Sequence, residues 1–266
     1  MASSSRRGRG RGRGGGRNED PVVQLSKTLS YILRHGAKGE GLEMRPDGYV
    51  KLEDLLKRPK LRGYGFNQIR DVVEENDKQR FTLLLEPYTT TSSSAAPDTA
   101  VPITIPSKLA DDSSDILKDL DMNSGTWYIR ANQGHSLKAS AFDCKVEQLE
   151  LKPVEDPSEI PIAIHGTTLK AWDSIKQKGL SIMGRNHVHL AAGKPGASGV
   201  LSGMRTSSAI HIYIDVEKAM GDGLKFFVSS NGVILTAGDE EGFLSKRYFS
   251  KVERSNGTPM PDDWRE

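Results

Sequence analysis

The chain is poor in cysteine and in long apolar runs. Cys144 is its only cysteine, which excludes a disulfide within the chain and suits a reducing compartment. No apolar run reaches the roughly 18 residues that a membrane span needs, and the first 30 residues hold no apolar segment typical of a secretory signal. We therefore expect an intracellular protein, in the cytoplasm or the nucleus, with no membrane partner.

Acidic residues are absent from one stretch of the chain, and basic residues are scarce in another. Residues 1–17 contain six Arg and no acid, and residues 88–124 contain six Asp against two Lys. The first stretch alternates Arg with Gly and lacks apolar residues that would favour ordering, so it predicts a disordered tail. The second is rich in Ser, Thr, Pro and Asp and predicts a disordered insertion. Arg-Gly tails contact RNA through phosphate and base stacking, so RNA is the expected partner of the tail.

The sequence is organised around an amphipathic helix from Leu25 to Gly36. Asp20 is a suitable N-cap, and Gly36 is expected to close the helix in the left-handed conformation. Arg34 and His35 fall at the helix C-terminus, where the dipole favours positive charge. The apolar residues repeat at helical spacing and should form one buried face: Leu25, Leu29, Ile32 and Leu33.

Short helices alternate with short strands in the first part of the chain, which is typical of a winged-helix module. Alternating apolar residues in RFTLLLE predict a strand that begins near Phe81. A second extended piece, Thr126 to Arg130, follows the insertion and could pair with it as a hairpin. That pairing would bring Arg130 back to the first lobe.

The second lobe has many short strands and few helices, so we expect it to be mostly sheet. Alternating Ile residues lead into His165, Gly166 and Thr167, and a helix follows; free backbone N–H groups at such a junction commonly bind ligands. Asn231 and the Gly after it signal a tight hairpin. His187 and His189 share a strand face, but no Cys or carboxylate nearby completes a metal site, and we expect no metal.

Six short motifs, read together and in order, resemble the RNA 2′-phosphotransferase family: LSYILRHG, RANQGHS, IHGT, HVHLA, GMR and NGVILT. The resemblance implies an α+β fold with an N-terminal winged-helix lobe for RNA and a C-terminal, mostly-β lobe like that of ADP-ribosyltransferases. It implies that NAD is consumed as a co-substrate and that the RNA partner is tRNA carrying a splice-junction 2′-phosphate. We expect a monomer.

The resemblance also implies the site residues. The catalytic set matches Arg34, His35, Arg130 and Arg205, and the NAD-binding motif matches His165, Gly166 and Thr167. His135, His189 and Asn231 are further candidates for the NAD pocket. The residue types suit this chemistry, because guanidinium groups grip phosphate through paired hydrogen bonds and His titrates near neutral pH.

Two alternatives remain open from the sequence. An enzyme of the same fold could transfer ADP-ribose to terminal phosphates of RNA or DNA, and a winged-helix protein could bind RNA without catalysis. Protein-modifying ADP-ribosyltransferases usually carry a catalytic Glu late in this lobe, and VSSNGVILT has none. The expected segments are a tail (1–19), a winged-helix lobe (20–86), an insertion (87–125), a connecting segment with a catalytic Arg (126–159), an NAD-binding lobe (160–254) and a C-terminal tail (255–266).

Overall fold

The computed structural model describes residues 20–88, 103–106, 120–136, 151–197, 200 and 203–265. The Arg-Gly tail, most of the insertion and Cys144 lie outside these residues. Helices and sheets are mixed throughout the described chain, in agreement with an α+β fold. No helix within the described ranges is both long and apolar enough to cross a membrane.

The first part of the chain packs three helices against one sheet. Its sheet has the strand order β1-β4-β2-β3, and β2 and β4 are antiparallel with Thr82 opposite Arg130. The predicted pairing of these two strands is therefore confirmed, although β3 lies between them in the sequence. The elements are α1 (Pro21–Tyr31), β1 (Val50–Lys51), α2 (Leu52–Leu56), α3 (Phe66–Glu74), β2 (Phe81–Pro87), β3 (Ile103–Pro106) and β4 (Gly125–Ala131).

Helix α1 begins as predicted, with the Asp20 carboxylate accepting a hydrogen bond from the Val22 N–H at 2.9 Å. The four residues of the predicted apolar face, Leu25, Leu29, Ile32 and Leu33, are at most 2% exposed, which confirms the buried face. The prediction for Gly36 was wrong. The helix widens into a π-helical turn over Ile32–Gly36, the chain continues helically at Ala37, and a positive φ of 66° first occurs at Gly41.

A strand forms inside the segment 87–125 that was expected to be disordered. Ile103–Pro106 pairs with β2 at the edge of the first sheet, with Ile105 opposite Leu83 and Ile103 opposite Leu85. Ile105 is 1% exposed. The expectation of disorder does not hold for these four residues. Ile103 and Ile105 are two residues apart, so they lie on the same face of the strand and pack against the first core, although the residues around them are mostly polar.

In its described residues, the second part of the chain consists of short strands, two α-helices and two short 3₁₀ helices. Two sheets and a strand pair enclose a second apolar core. The four-stranded sheet has the order β5-β10-β11-β8, the three-stranded sheet has the order β13-β9-β6, and the pair is β12-β7. The elements are β5 (Lys152–Pro153), β6 (Ile164–Thr167), α4 (Leu169–Lys178), β7 (Leu180–Ser181), β8 (Val188–Leu190), β9 (Ile210–Ile214), α5 (Val216–Gly221), β10 (Phe227–Val228), β11 (Ile234–Thr236), β12 (Phe243–Leu244) and β13 (Phe249–Arg254).

The junction of β6 and α4 forms as the sequence predicts. Thr168 caps α4, with its Oγ1 accepting a hydrogen bond from the Ala171 N–H at 3.2 Å, and Gly179 ends the helix with a φ of 85°. Strands β10 and β11 are joined by the predicted hairpin through Asn231. These elements bring the end of β6, the start of α4 and strand β8 to one side of the second core.

Candidate active site

The π-helical turn at the end of α1 presents Arg34 and His35. Ile32 and Leu33 of the same turn are fully buried and fix it to the first core. A wide turn of this kind redirects the side chains that follow it, and such turns often occur at functional sites. Gly36 packs closely on Tyr31, since a Cβ at Gly36 would lie 2.9 Å from the ring, which would have to shift.

The loop after β4 holds this turn in place. The Ser136 N–H donates to the carbonyl oxygen of Arg34 at 3.1 Å, and the Ser136 Oγ lies 2.6 Å from Nδ1 of His35. Arg34 packs across the turn at Gly134, where an added Cβ would be 3.5 Å from the guanidinium carbon. The RANQGHS motif therefore supports Arg34 and orients the His35 ring.

Five basic side chains from both parts of the chain form a cationic cluster. Burial lowers the pKa of Arg34 to about 10, assisted by the positive charges of Arg80 and Arg185. Burial, Arg80 and Arg205 lower the pKa of Lys78, and burial and Arg205 lower that of Arg185. The cationic cluster comprises Arg34, Lys78, Arg80, Arg185 and Arg205.

The cationic cluster lacks carboxylate partners among the residues that the structure describes. Nε and Nη2 of Arg34 are buried without a hydrogen-bond partner in the same part of the chain. Uncompensated buried donors are costly, and an anion such as phosphate would satisfy them. The cationic cluster is therefore suited to bind an anion.

Sequence reasoning brought Arg34 and Arg205 to this cluster but missed three of its members. Lys78 and Arg80 directly precede β2, and Arg185 precedes the two His of the HVHLA motif. The sequence offered one signal for these three residues, which is that each lies next to a predicted strand or a recognised motif. Only the fold brings the start of β2 against the second part of the chain.

Arg130 lies near the site, where its charge acts on His135, but it packs on residues of the first part of the chain. Its side chain is 3% exposed, lies over the ring of Tyr49 with 4.6 Å between the guanidinium carbon and the ring centroid, and donates from Nη1 to the Asp47 carbonyl oxygen at 3.3 Å. It therefore packs within the first part of the chain, and its catalytic role stays a prediction.

A cleft of about 920 Å³ opens in the second part of the chain, between β6, α4, β8 and the turn before β8. Three of the residues predicted to bind NAD, His165, Thr167 and His189, line this cleft. Its lining includes Lys170, Lys178 and Arg185 and contains no carboxylate residue. Arg185 belongs to both the cleft and the cationic cluster, so the two are continuous.

Gly166 serves packing at the edge of this cleft. A Cβ on Gly166 would lie 2.2 Å from the Met204 side chain and 2.6 Å from the Ser208 Oγ. Glycine thus allows the segment around Arg205 to lie directly on β6. The predicted motif residue is therefore needed for the position of Arg205.

The histidines of the site are neutral near pH 7. Burial, reinforced by the charges of neighbouring arginines, lowers the pKa of His135 and of His189 to about 3. Burial and the charges of Arg34 and Arg185 also lower the pKa of His35. Positive charge in the site therefore resides on the Arg and Lys side chains, and His35 is free to accept a proton.

His165 is oriented by β8. Its Nδ1 donates to the His189 carbonyl oxygen at 3.0 Å, and burial lowers the pKa of its ring. Nε2 of His189 is buried without a partner among the described residues. That nitrogen is a polar group available to a ligand in the cleft.

Asn231 joins the two parts of the chain. Its Nδ2 donates to the Lys78 carbonyl oxygen at 3.0 Å, and its Oδ1 accepts from the Ser229 Oγ at 2.8 Å. A second bridge runs from the Asn186 N–H to the His135 carbonyl oxygen at 3.1 Å. Asn231 does not line the 920 Å³ cleft. It holds the segment of Lys78 against the second part of the chain.

The described residues contain no group of three or more His, Cys, Asp or Glu side chains arranged to hold a metal ion. The functional groups that the described site offers are the cationic cluster and the neutral imidazoles, which lie beside the cleft.

Comparisons with known proteins agree on one family. A family model described as RNA 2′-phosphotransferase, Tpt1/KptA family, matches residues 20–238. The chain is 43% identical over 260 residues to a tRNA 2′-phosphotransferase 1 from Danio rerio, covering 97% of this chain and 96% of that protein. It is 42% identical over 246 residues to the Homo sapiens tRNA 2′-phosphotransferase 1 (92% and 81% covered). It is 36% identical over 220 residues to the Saccharomyces cerevisiae tRNA 2′-phosphotransferase (81% and 78% covered). The chain belongs to the RNA 2′-phosphotransferase family, Tpt1/KptA.

Proposed function

We propose that this chain transfers the internal 2′-phosphate of spliced tRNA to NAD. The products are RNA with a free 2′-hydroxyl, nicotinamide and ADP-ribose 1″,2″-cyclic phosphate. The observation that carries the proposal is the cationic cluster, which lacks carboxylate partners in the described chain and adjoins the 920 Å³ cleft. The relatives' names supply the tRNA substrate.

The cleft suits NAD in size and in charge. Its volume of about 920 Å³ is near the upper end of the roughly 300–1,000 Å³ typical of ligand pockets. Its basic side chains and the N-terminus of α4 would receive a pyrophosphate, since the first backbone N–H groups of a helix have no acceptor within it. Nε2 of His189 and the Thr167 side chain are available to hydroxyl or amide groups of the same ligand.

The RNA phosphate fits the cationic cluster. We assign the first part of the chain to RNA as a winged-helix lobe and the second to NAD as an ADP-ribosyltransferase-like lobe. Arg34, Arg80 and Arg205 would hold the 2′-phosphate, and Arg185 would contribute positive charge towards the NAD cleft. Arg130, which packs on Tyr49 and whose charge acts on His135, would complete the catalytic set from the first part of the chain.

In the first step, a 2′-phosphate oxygen attacks the anomeric carbon of the nicotinamide-bearing ribose. The carbon–nitrogen bond breaks, and nicotinamide leaves with the electron pair. The phosphate is already an anionic nucleophile, so the protein contributes orientation and charge stabilisation rather than a strong base. The result is an RNA that carries ADP-ribose on its 2′-phosphate.

In the second step, the ribose 2″-hydroxyl attacks the phosphorus atom and the RNA 2′-oxygen leaves. One proton departs from the attacking hydroxyl and one is delivered to the leaving oxygen. His35 suits this transfer because it is neutral, exposed and oriented by Ser136. The arginines compensate the charge that develops on the phosphate oxygens.

The proposal is tested with two matched oligonucleotides, one with an internal 2′-phosphate and one with a 5′-phosphate, each incubated with NAD. We expect nicotinamide release and a cyclic phosphate product only with the 2′-phosphate. Stable ADP-ribosylation of the 5′-phosphate, with no reaction at the 2′-phosphate, would instead favour a terminal-phosphate ADP-ribosyltransferase. RNA binding without NAD consumption would indicate a non-catalytic protein.

A further inference from the structure

Met183 stands out at the lip of the cleft because it is both exposed and strained. Its side chain is 84% exposed, although Met is usually buried. Its φ is 55°, in the left-handed region that non-glycine residues seldom adopt. Such backbone conformations are strained and persist where the surrounding structure imposes them.

The surrounding structure does impose this conformation. The Met183 N–H donates to the Ser181 Oγ at 3.0 Å, and the Ile182 N–H donates to the Gly242 carbonyl oxygen at 3.0 Å. The Arg185 N–H closes the turn by donating to the Ile182 carbonyl oxygen at 3.0 Å. The turn is thus held at both ends, with Met183 at its tip.

Met183 is also a lining residue of the cleft that contains His165, His189 and Arg185. Most of the polar side chains that line this cleft suit phosphate and hydroxyl groups. The ligand proposed above also carries two flat heteroaromatic rings, which need an apolar surface. A thioether at the rim of the cleft supplies one, because contacts between sulfur and an aromatic ring are favourable.

We propose that Met183 is an NAD-binding residue whose thioether packs on a heteroaromatic ring of the dinucleotide, either adenine or nicotinamide. This inference rests on the proposed function of the cleft. Ligand binding buries the exposed side chain, and the strained turn keeps the side chain in place before the ligand arrives.

Three variants separate the side chain from the backbone strain. Met183→Ala removes the thioether and keeps the strained backbone, Met183→Gly removes both, and Met183→Leu keeps apolar surface. We expect about tenfold weaker NAD binding for the Ala and Gly variants, and a change of less than about threefold for Leu. The Gly variant should also melt at a higher temperature than the Ala variant. Ile162→Ala is the matched control, since Ile162 is 45% exposed and lies outside the cleft.

Calorimetric titration with NAD, ADP-ribose and nicotinamide identifies the ring. Weakened binding of both NAD and ADP-ribose assigns the contact to adenine, and weakened binding of NAD and nicotinamide but not ADP-ribose assigns it to nicotinamide. Unchanged NAD affinity in the Ala and Gly variants overturns the proposal. If wild-type protein binds no NAD, the proposed function itself fails, which is a distinguishable result.

A second measurement does not depend on variants. Peroxide oxidises an exposed thioether to the sulfoxide, and peptide mass spectrometry can follow this at Met183. We expect saturating NAD to slow oxidation of Met183 at least fivefold, while the half-buried Met122 and Met260, which lie outside the cleft, keep their oxidation rates. Equal oxidation rates with and without NAD would contradict a buried Met183 in the complex.

Discussion

Replacement of Arg34 by Met should stabilise the protein while removing its activity. Met preserves much of the aliphatic length of Arg but carries no charge. In the folded protein the pKa of Arg34 falls from 12.5 to about 10, through burial and the charges of Arg80 and Arg185. One pKa unit corresponds to about 1.4 kcal/mol, so keeping this guanidinium charged costs the folded state up to about 3 kcal/mol.

The free energy of unfolding of Arg34→Met should therefore rise by about 1–3 kcal/mol at pH 7, measured by urea denaturation. Its turnover with NAD and 2′-phosphorylated RNA should fall at least a hundredfold, in the range found when one transition-state donor is removed. Lys38→Met is the matched control, because Lys38 is exposed four residues later in the chain. Stability of that control should change by less than about 0.5 kcal/mol.

A lower stability of Arg34→Met than of wild type would refute the claim that the buried charge of Arg34 destabilises the folded protein. The claim would also be refuted if the stabilisation appeared equally in Lys38→Met, because net charge rather than local repulsion would then be responsible. Inorganic pyrophosphate offers a further check. It should raise the melting temperature of wild type more than that of Arg34→Met, since an anion compensates the same charges.

Three further predictions concern other residues of the site. His135 and His189 are neutral in the folded protein and protonate in the unfolded chain below about pH 6.5, so stability is present above that pH and is lost as pH falls towards 3. Urea denaturation at pH 7 and pH 5 should reveal a loss of about 2 kcal/mol for each, which the His135→Gln/His189→Gln double variant should lack. Ser136→Ala should lower kcat about three- to tenfold and shift the pH profile of the step that uses His35, whereas Ser136→Thr should restore it; an unchanged profile would exclude the orienting role. Gly166→Ala should cost about 1–3 kcal/mol of stability and most of the activity, because the new methyl group overlaps neighbouring side chains, and a fully active variant would contradict that packing.

Local pattern was sufficient to predict several elements of the fold. The helical spacing of Leu25, Leu29 and Ile32 predicted a buried face, and the alternation in RFTLLLE predicted a strand. Asp20 and Gly179 act as the helix-terminating residues that their chemistry favours. These features depend on interactions between residues close in sequence, which is why sequence pattern captures them.

Other features depend on packing between distant segments. Nothing in ILRHG distinguishes an α-helical end from a π-helical turn, and the distant residue Ser136 contacts this turn by donating from its N–H to the carbonyl oxygen of Arg34. Likewise, Lys78 and Arg80 resemble ordinary surface cations at a strand start. Their place in the cationic cluster follows from the bridge between Asn231 and Lys78.

The resemblance to the family names residues, but it does not predict the contacts that they make within the protein. Asn231, a candidate for the NAD pocket, bridges the two parts of the chain and lies outside the lining of the cleft. Arg130, a candidate for the catalytic set, packs on Tyr49, and both roles stay predictions. A motif records that a residue type is needed at a position, but several physical roles can require the same residue type.

The most direct test follows the phosphorus atom itself. An RNA with a radiolabelled internal 2′-phosphate is incubated with the full chain and NAD, and label and nicotinamide are quantified together. The proposed mechanism predicts that the label moves into ADP-ribose 1″,2″-cyclic phosphate, with one nicotinamide released for each phosphate transferred. Release of the label as inorganic phosphate, or transfer of the label without nicotinamide release, would contradict it.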